Sequence, residues 1–287
     1  MCGISGFIGN KNIPRKVILE TLKLMKNRGP DFSNYFSKSI SENKKIFLLH
    51  SRLSIIDLKE RSNQPFKIGN YIIIFNGEIY NYIELRKKLV EKKIKLKTFS
   101  DTEVLLNYFI LYGKNCLKYF DGMWSFAIFN LKTKKLFLSR DPFGEKPLYI
   151  YKTNYGLFFG SEIKFLHNLS QENFVVNEKK INRFLSYGYK SIHKNNETFF
   201  KKVHSLENSS ILICDENSNI KISKYWEPKI IPRNWKEDEL SFESQSILTT
   251  SLKRRMRSDV PTGFLLSGGV DSGGLASLAV KKLNKKI

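Results

Sequence analysis

Cys2 is the first residue of this sequence that could do chemistry, in the run Met1-Cys2-Gly3-Ile4-Ser5-Gly6-Phe7. Removal of Met1 leaves a thiol and a free α-amine on one residue. A free thiol titrates near ~8.5 and an α-amine near ~7.7 to 8.0, so at neutral pH a neutral amine can relay the thiol proton through water at little cost. Nucleophile and base then reside in Cys2 alone, and no distant histidine is required. Gly3 is expected to leave room for a substrate carbonyl, and Ile4 to Ile8 to form a short apolar strand that holds the terminus in a sheet. The plain alternative is a buried thiol in a first strand.

A second group lies near the other end. Gly263-Phe264-Leu265-Leu266 reads as a buried strand, Ser267-Gly268-Gly269-Val270-Asp271-Ser272 as a glycine-rich turn, and the residues to about Leu283 as a helix. Strand, glycine turn and helix together make a phosphate-binding arrangement, in which freed backbone N–H groups and a helix N-terminus surround an anion. The turn lacks a Gly-Lys-Ser/Thr ending, so γ-phosphate transfer is not implied.

The elements between must position these groups. Pro14 to Asn27 carries Val17, Ile18, Leu22 and Met25 on one helical face, and Gly29-Pro30 ends it. Ile46 to Leu49 and Tyr71 to Phe75 read as strands, the second closed by Asn76-Gly77 as a hairpin turn would close it. Asn81 with Glu84, and Ser100 with Glu103, have capping-box spacing and should open helices to about Lys93 and Gly113. From Trp124 to Tyr151 the period changes to two, and Leu157 to Phe159 continues it, a run of antiparallel hairpins. Ile211 to Cys214 and Ile220 to Trp226 suggest another hairpin, Pro228 to Pro232 a linker, and Glu239 to Met256 a helix. A sheet-rich layer flanked by amphipathic helices makes the first domain α+β.

Bulk properties narrow the class. The chain has 287 residues and 41% hydrophobic content, enough for cores in two domains. No apolar run reaches the ~18 residues of a membrane span, and Lys11, Arg15 and Lys16 stand where a signal peptide is apolar, so a cytoplasmic protein without membrane contact is expected. Three cysteines, Cys2, Cys116 and Cys214, and four scattered histidines offer neither a disulfide framework nor a metal site. The net charge of +22 comes from lysines spread along the whole length, as AT-rich coding would produce, and not from one stripe, so no nucleic-acid partner is expected.

With the motifs in view, the chain resembles the glutamine-hydrolysing asparagine synthetases. The matching segments, in the family's order, are the Cys2 run, Arg28-Gly29-Pro30-Asp31, Arg52 to Asp57, Phe75 to Asn81, Ser100-Asp101-Thr102-Glu103, Arg140 to Tyr149, and Ser267 to Ser272. The resemblance implies an N-terminal-nucleophile αββα sandwich over residues 2–210, a closing hairpin and linker over 211–235, and over 236–287 the truncated beginning of an α/β ATP-pyrophosphatase domain.

It also implies roles. Cys2 attacks the glutamine side-chain amide and forms a thioester. Asn76 and the Gly77 N–H form the oxyanion hole. Arg52 clamps the α-carboxylate, as suits a planar guanidinium, Asp101 with Glu78 receives the α-ammonium, and the backbone of Leu53, Ser54, Ile55 and Ile56 lines the pocket. Leu266 with Ser267, Gly268, Gly269, Val270, Asp271 and Ser272 holds ATP, with magnesium (Mg2+) on its phosphates. Substrates are then glutamine, ATP and aspartate, and a homodimer is left open. The alternatives are a sister enzyme that amidates another carboxylate, such as a sugar acid, and a glutaminase-only subunit. Gly273-Gly274 departs from the family, which has a second serine there. The short remainder after Ser272 suggests that this chain hydrolyses glutamine at most.

Overall fold

A strand that is apolar on both faces must be covered on both, and that requirement builds this protein. The computed structural model describes residues 2–188, 195–234 and 236–285. Met1, assigned above as a removed residue, and the final Lys286 and Ile287 lie outside them. The elements run β1 (Gly3–Gly9), α1 (Arg15–Met25), β2 (Phe32–Ser41), β3 (Lys44–Arg52), β4 (Phe66–Ile68), β5 (Tyr71–Ile79), α2 (Tyr82–Glu91), α3 (Asp101–Tyr112), β6 (Gly122–Asn130) and β7 (Lys135–Arg140). They continue with β8 (Tyr149–Thr153), β9 (Gly156–Gly160), α4 (Ile163–Ser170), α5 (Glu178–Tyr187), β10 (Val203–Ser205), β11 (Ser210–Cys214), β12 (Ile220–Lys224), α6 (Glu237–Arg255) and α7 (Val270–Leu283).

Two six-stranded antiparallel sheets result, in the orders β10-β8-β9-β1-β3-β2 and β12-β11-β7-β6-β5-β4. Alternation then sorts the side chains. Ile4 and Ile8 of β1 meet Ile72 and Ile74 of β5 in the core between the sheets. Phe7 of β1 faces the other way, onto Val17, Ile18, Leu22 and Met25 of α1 and Phe165, Leu166 and Leu169 of α4. Ile73 and Phe75 of β5 face Leu85 and Leu89 of α2 and Val104 and Leu105 of α3. Helix, sheet, sheet, helix is the αββα sandwich. The hairpin β11–β12 belongs to it, as the outer two strands of the second sheet.

Several local expectations give way to tertiary contacts. Strand β5 does not turn at Asn76-Gly77 but continues to Ile79, because β6 pairs with it throughout, Asn76 opposite Ser125 and Gly77 opposite Trp124. No capping box forms at Asn81: its Oδ1 accepts from the Asp121 N–H at 3.0 Å, its Nδ2 donates to the Tyr119 carbonyl, and Glu84 turns to Arg257. At α3 only half of the device is present. Ser100 Oγ accepts from the Glu103 N–H, while the Glu103 carboxylate is occupied by the N–H groups of Lys97 and Thr98.

The buried strand expected at Gly263–Leu266 is not one. It carries no strand pairing, and Leu265 is 99% and Leu266 60% exposed. A lone parallel strand has no ladder and no covered face, so nothing holds it as a strand. Strand β2 and helices α4 and α5 went unanticipated; β2 is a mostly polar edge strand, FSNYFSKSIS, whose inner face of Phe32, Phe36 and Ile40 is interrupted by Asn34 and Lys38.

Candidate functional site

Cys2 sits at the mouth of β1. Its Sγ lies 3.6 Å from the Leu53 carbonyl and accepts from the Leu53 N–H at 3.4 Å, and its own carbonyl accepts from Arg28 Nε at 2.9 Å. Burial pushes the thiol pKa up, with the Leu53 backbone contact and the positive chain terminus working against it. Gly3 serves packing and not substrate access, since a Cβ there would lie 2.6 Å from Ser51 Oγ on the neighbouring strand.

Opposite Cys2 runs the end of β5. Asn76 is buried, its Nδ2 donating to Ser125 Oγ at 3.4 Å. Gly77 is a glycine because β6 passes so close that a Cβ would lie 2.1 Å from the Met123 carbonyl oxygen. Gly77→Ala is therefore expected to destabilise the protein by about 1–3 kcal/mol through overpacking, visible as a lowered thermal midpoint; an unchanged midpoint would show that the strands can part freely. Two residues before Gly77, His50 Nε2 meets the Phe75 carbonyl at 3.1 Å. Burial lowers His50 to about 3, so at neutral pH it is uncharged and Nε2 is the donor.

Two carboxylates complete that wall. Asp101, first residue of α3, accepts from the Ile79 N–H at 3.0 Å and is raised to about 6, chiefly by burial. Glu78 is raised to about 7 by burial and then by Asp101, against the pull of the Lys146 ammonium. Asp101 thus stands in the first turn of α3, where an acid complements the helix dipole, and on the wall of the cleft at once.

Arg52 is buried and not a surface arginine. Its Nη1 donates to the Lys59 carbonyl at 3.0 Å and to Asn63 Oδ1 at 2.8 Å, and its Nη2 to the carbonyls of Ile56 and Asp57.

Cys2, Arg52, Leu53, Ile55, Ile56, Asn76, Gly77, Glu78 and Asp101 line one cleft. Ser54 does not line it; its N–H turns away to Asp31 Oδ2 at 2.7 Å, which accounts for the aspartate in Arg28-Gly29-Pro30-Asp31. Sequence reasoning missed Gln64, Thr102 and Lys146 as lining residues. Gln64 accepts from the Phe75 N–H at 2.7 Å and donates to Thr102 Oγ1, bracing β5 against α3. Lys146 lies inside the Arg140–Tyr149 motif and Thr102 inside Ser100–Glu103, while Gln64 stands in no motif.

The glycine-rich turn lies apart from this cleft and is exposed. Ser267 Oγ and Ser272 Oγ are 3.1 Å apart, Gly268 takes a left-handed φ of 82°, and the first rung of α7 runs from the Gly273 N–H to the Gly269 carbonyl. N–H groups at such a helix start have no rung of their own and can face an anion. The turn thus fits a phosphate chain, while the outward-facing Leu265 and Leu266 offer a base no wall.

A thiol beside an asparagine amide, a guanidinium and a carboxylate pair can bind an amino acid by its ends and open its side-chain amide. Comparison with known proteins bears on that reading. The family model described as a glutamine amidotransferase domain matches residues 1–226, and that described as asparagine synthase matches residues 243–287. The sandwich aligns with the solved glutamine phosphoribosylpyrophosphate amidotransferase of B. subtilis with a TM-score of 0.57 at 17% identity, covering 78% of this chain and 49% of that one, a likeness of fold of the N-terminal-nucleophile type.

The chain belongs to the glutamine amidotransferase domain family. The resemblance seen in its motifs is met by its relatives too. A putative glutamine-hydrolysing asparagine synthetase 2 of Methanocaldococcus jannaschii is 35% identical over 95% of this chain and 55% of its own length. The glutamine-hydrolysing asparagine synthetase 1 of Bacillus subtilis is 34% identical over 97% of this chain and 44% of its own length. The chain thus spans about half the length of these curated relatives. No helix among the described residues is long and apolar enough to cross a membrane.

Proposed function

We propose that this chain, with Met1 removed, hydrolyses glutamine at Cys2 and supplies the ammonia for amidation of an ATP-activated carboxylate, aspartate, to give asparagine. The Cys2 sulfur attacks the side-chain amide carbon as the α-amine takes the thiol proton. Asn76 Nδ2 and the Gly77 N–H receive the developing oxyanion. The proton returns to the leaving nitrogen, ammonia departs, and water hydrolyses the thioester to glutamate. Arg52, held in place by the carbonyls of Ile56 and Asp57, meets the α-carboxylate, and Glu78 with Asp101 meets the α-ammonium.

The observation that carries this reading is the convergence of Cys2, Arg52, Asn76, Glu78 and Asp101 on one cleft. Incubation of the Met1-free protein with glutamine is expected to release glutamate and ammonia in equal amounts; no release overturns the reading. Aspartate as acceptor is supported by the names of the relatives. Ser267 to Ser272 would hold the phosphates of ATP and its magnesium ion, and ATP when bound supplies the leaving group that activates the acceptor. AMP release that depends on aspartate, in protein carrying the further length its relatives have, checks that half; dependence on a sugar acid instead would favour the sister activity.

The carboxylate pair sets a pH dependence. Glu78 and Asp101 titrate at about 7 and about 6 in the folded protein, above their ordinary values of 4.5 and 3.8. As pH falls through this window they lose charge, and the α-ammonium of glutamine loses its partners. Glutamine affinity of the Cys2→Ala protein is therefore expected to rise about 10-fold between roughly pH 6 and pH 8, and Glu78→Gln should flatten the upper part of that rise; a flat profile in the parent would refute the assignment. The linkage has the opposite sign for stability. Raised carboxylate pKa values mean that the folded state holds more protons than the unfolded, so the unliganded fold loses stability as pH climbs from about 4 to about 7.

A further inference from the structure

The run from Leu53 to Asp57, of which Leu53, Ile55 and Ile56 line the cleft, follows β3 and is not part of any strand. At its near end Leu53 holds the Cys2 sulfur through both its N–H and its carbonyl. At its far end Asp57 takes a left-handed φ of 49°, a conformation open to aspartate that here is held by bonds around it.

Those bonds come from four directions. The Asp57 carbonyl accepts from Arg52 Nη2, and the Asp57 carboxylate takes the Phe99 N–H at 2.7 Å and Arg61 Nε at 3.0 Å. Phe99 is two residues before Asp101. The fourth direction is remote in sequence. The Asp57 N–H donates to Asp259 Oδ2 at 2.7 Å, across 202 residues, and the Asp259 N–H donates to the Ile55 carbonyl at 2.9 Å. One residue thus grips the cleft wall at both ends of the Ile55–Asp57 turn.

Asp259 stands between α6 and the glycine-rich turn, outside the sandwich. Its segment is fixed there by charge: Arg254 pairs with Asp121 at 2.8 Å, and Arg257 forms a two-pronged pair with Glu84 at 2.6 Å while also donating to the Tyr80 carbonyl. Apart from Leu252, α6 buries no side chain. The segment is thus anchored over the cleft wall by its own polar contacts and not by a shared core.

We infer that Asp259 is a positioning residue for the glutamine cleft: through its two hydrogen bonds to the Ile55–Asp57 turn it sets the place of Leu53 and Arg52, so that glutamine affinity is governed in part from the segment leading into the nucleotide turn. This rests on the glutaminase reading above. Asp259 touches no substrate; it acts through Asp57 on Arg52 and through Ile55 on the wall that holds the Cys2 sulfur.

The test uses glutamine titration by calorimetry on the Cys2→Ala protein, together with amide hydrogen exchange over residues 53–59. Asp259→Ala is expected to weaken glutamine about 10-fold, the loss of a charged acceptor from a backbone donor, and to speed exchange at 53–59 while the strands of both sheets exchange as before. Asp259→Asn, whose amide oxygen can still accept from Asp57, should recover most of both. In the protein with Cys2 intact, Asp259→Ala should raise KM by a larger factor than it lowers kcat. Unchanged affinity and unchanged exchange in Asp259→Ala overturn the inference, as does a failure of Asp259→Asn to recover either. If the parent binds no glutamine, the glutaminase reading fails, and the exchange measurement still decides whether Asp259 holds the turn.

Discussion

Cys2→Ala is expected to abolish glutamine hydrolysis, with kcat falling by at least ~10³-fold, because it removes the only atom in the cleft able to form a thioester. The same loss is expected when Met1, or an N-terminal tag, stays in place with Cys2 intact. In that form the Cys2 nitrogen is an amide and can take no proton. Among the described residues no histidine lines the cleft, His50 is buried, neutral and bonded to the Phe75 carbonyl, and the proposed reaction gives the Glu78 and Asp101 carboxylates to the α-ammonium of glutamine. The two losses can be told apart from a collapsed site, since Cys2→Ala keeps Arg52, Glu78 and Asp101 and should still bind glutamine by calorimetry. Full activity with a tag retained would disprove the proton route through the α-amine.

How much of this was legible in the sequence depends on the distance over which each feature is decided. Strands β1, β5, β6 and β7 announce themselves because their alternation is set residue by residue, and both faces of β1 and β5 are apolar for a stated reason: each touches the inter-sheet core and a helix layer. Asn76-Gly77 shows the opposite case. Locally the dipeptide favours a turn; the partner strand β6, from Gly122 to Asn130, holds it straight, and the glycine is required by the Met123 carbonyl instead of by a turn.

Polar side chains were legible as members of motifs and not as bonds. Asn81 and Glu84 have capping spacing, yet Asp121 and Arg257 outbid the helix end for them. Arg52 was expected to face a carboxylate, and the loop carbonyls of Ile56 and Asp57 that hold its guanidinium could not be read from its motif. The grip of Asp259 on Asp57 spans a separation that no local rule reaches. Motifs thus named many of the cleft residues, with Ser54 named but turned away, while the residues that brace the cleft, His50, Gln64 and Asp259, carry no local signature because each is defined by a partner elsewhere in the chain.

Asn76→Ala is expected to lower kcat for glutamine by about 10² to 10³, equivalent to ~2.7 to 4 kcal/mol in the barrier, with KM changed little. In the proposed reaction the amide meets the oxyanion and neither end of glutamine, so its removal is felt only once charge develops. One Nδ2 proton is directed to Ser125 Oγ at 3.4 Å, which fixes the rotamer and leaves the second for the substrate oxygen. Ser125→Ala, by freeing that rotamer, should produce a smaller fall in the same parameter. The Gly77 N–H survives both changes because it belongs to the backbone of β5, and the activity remaining in Asn76→Ala is its contribution. Asn76→Asp separates this account from simple packing: the side chain keeps its size but sets a negative charge against the developing oxyanion, so its kcat should fall at least as far as that of the alanine variant. If Asn76→Asp retained kcat within a few-fold of the parent while Asn76→Ala did not, shape and not hydrogen-bond donation would be the property that matters at this position.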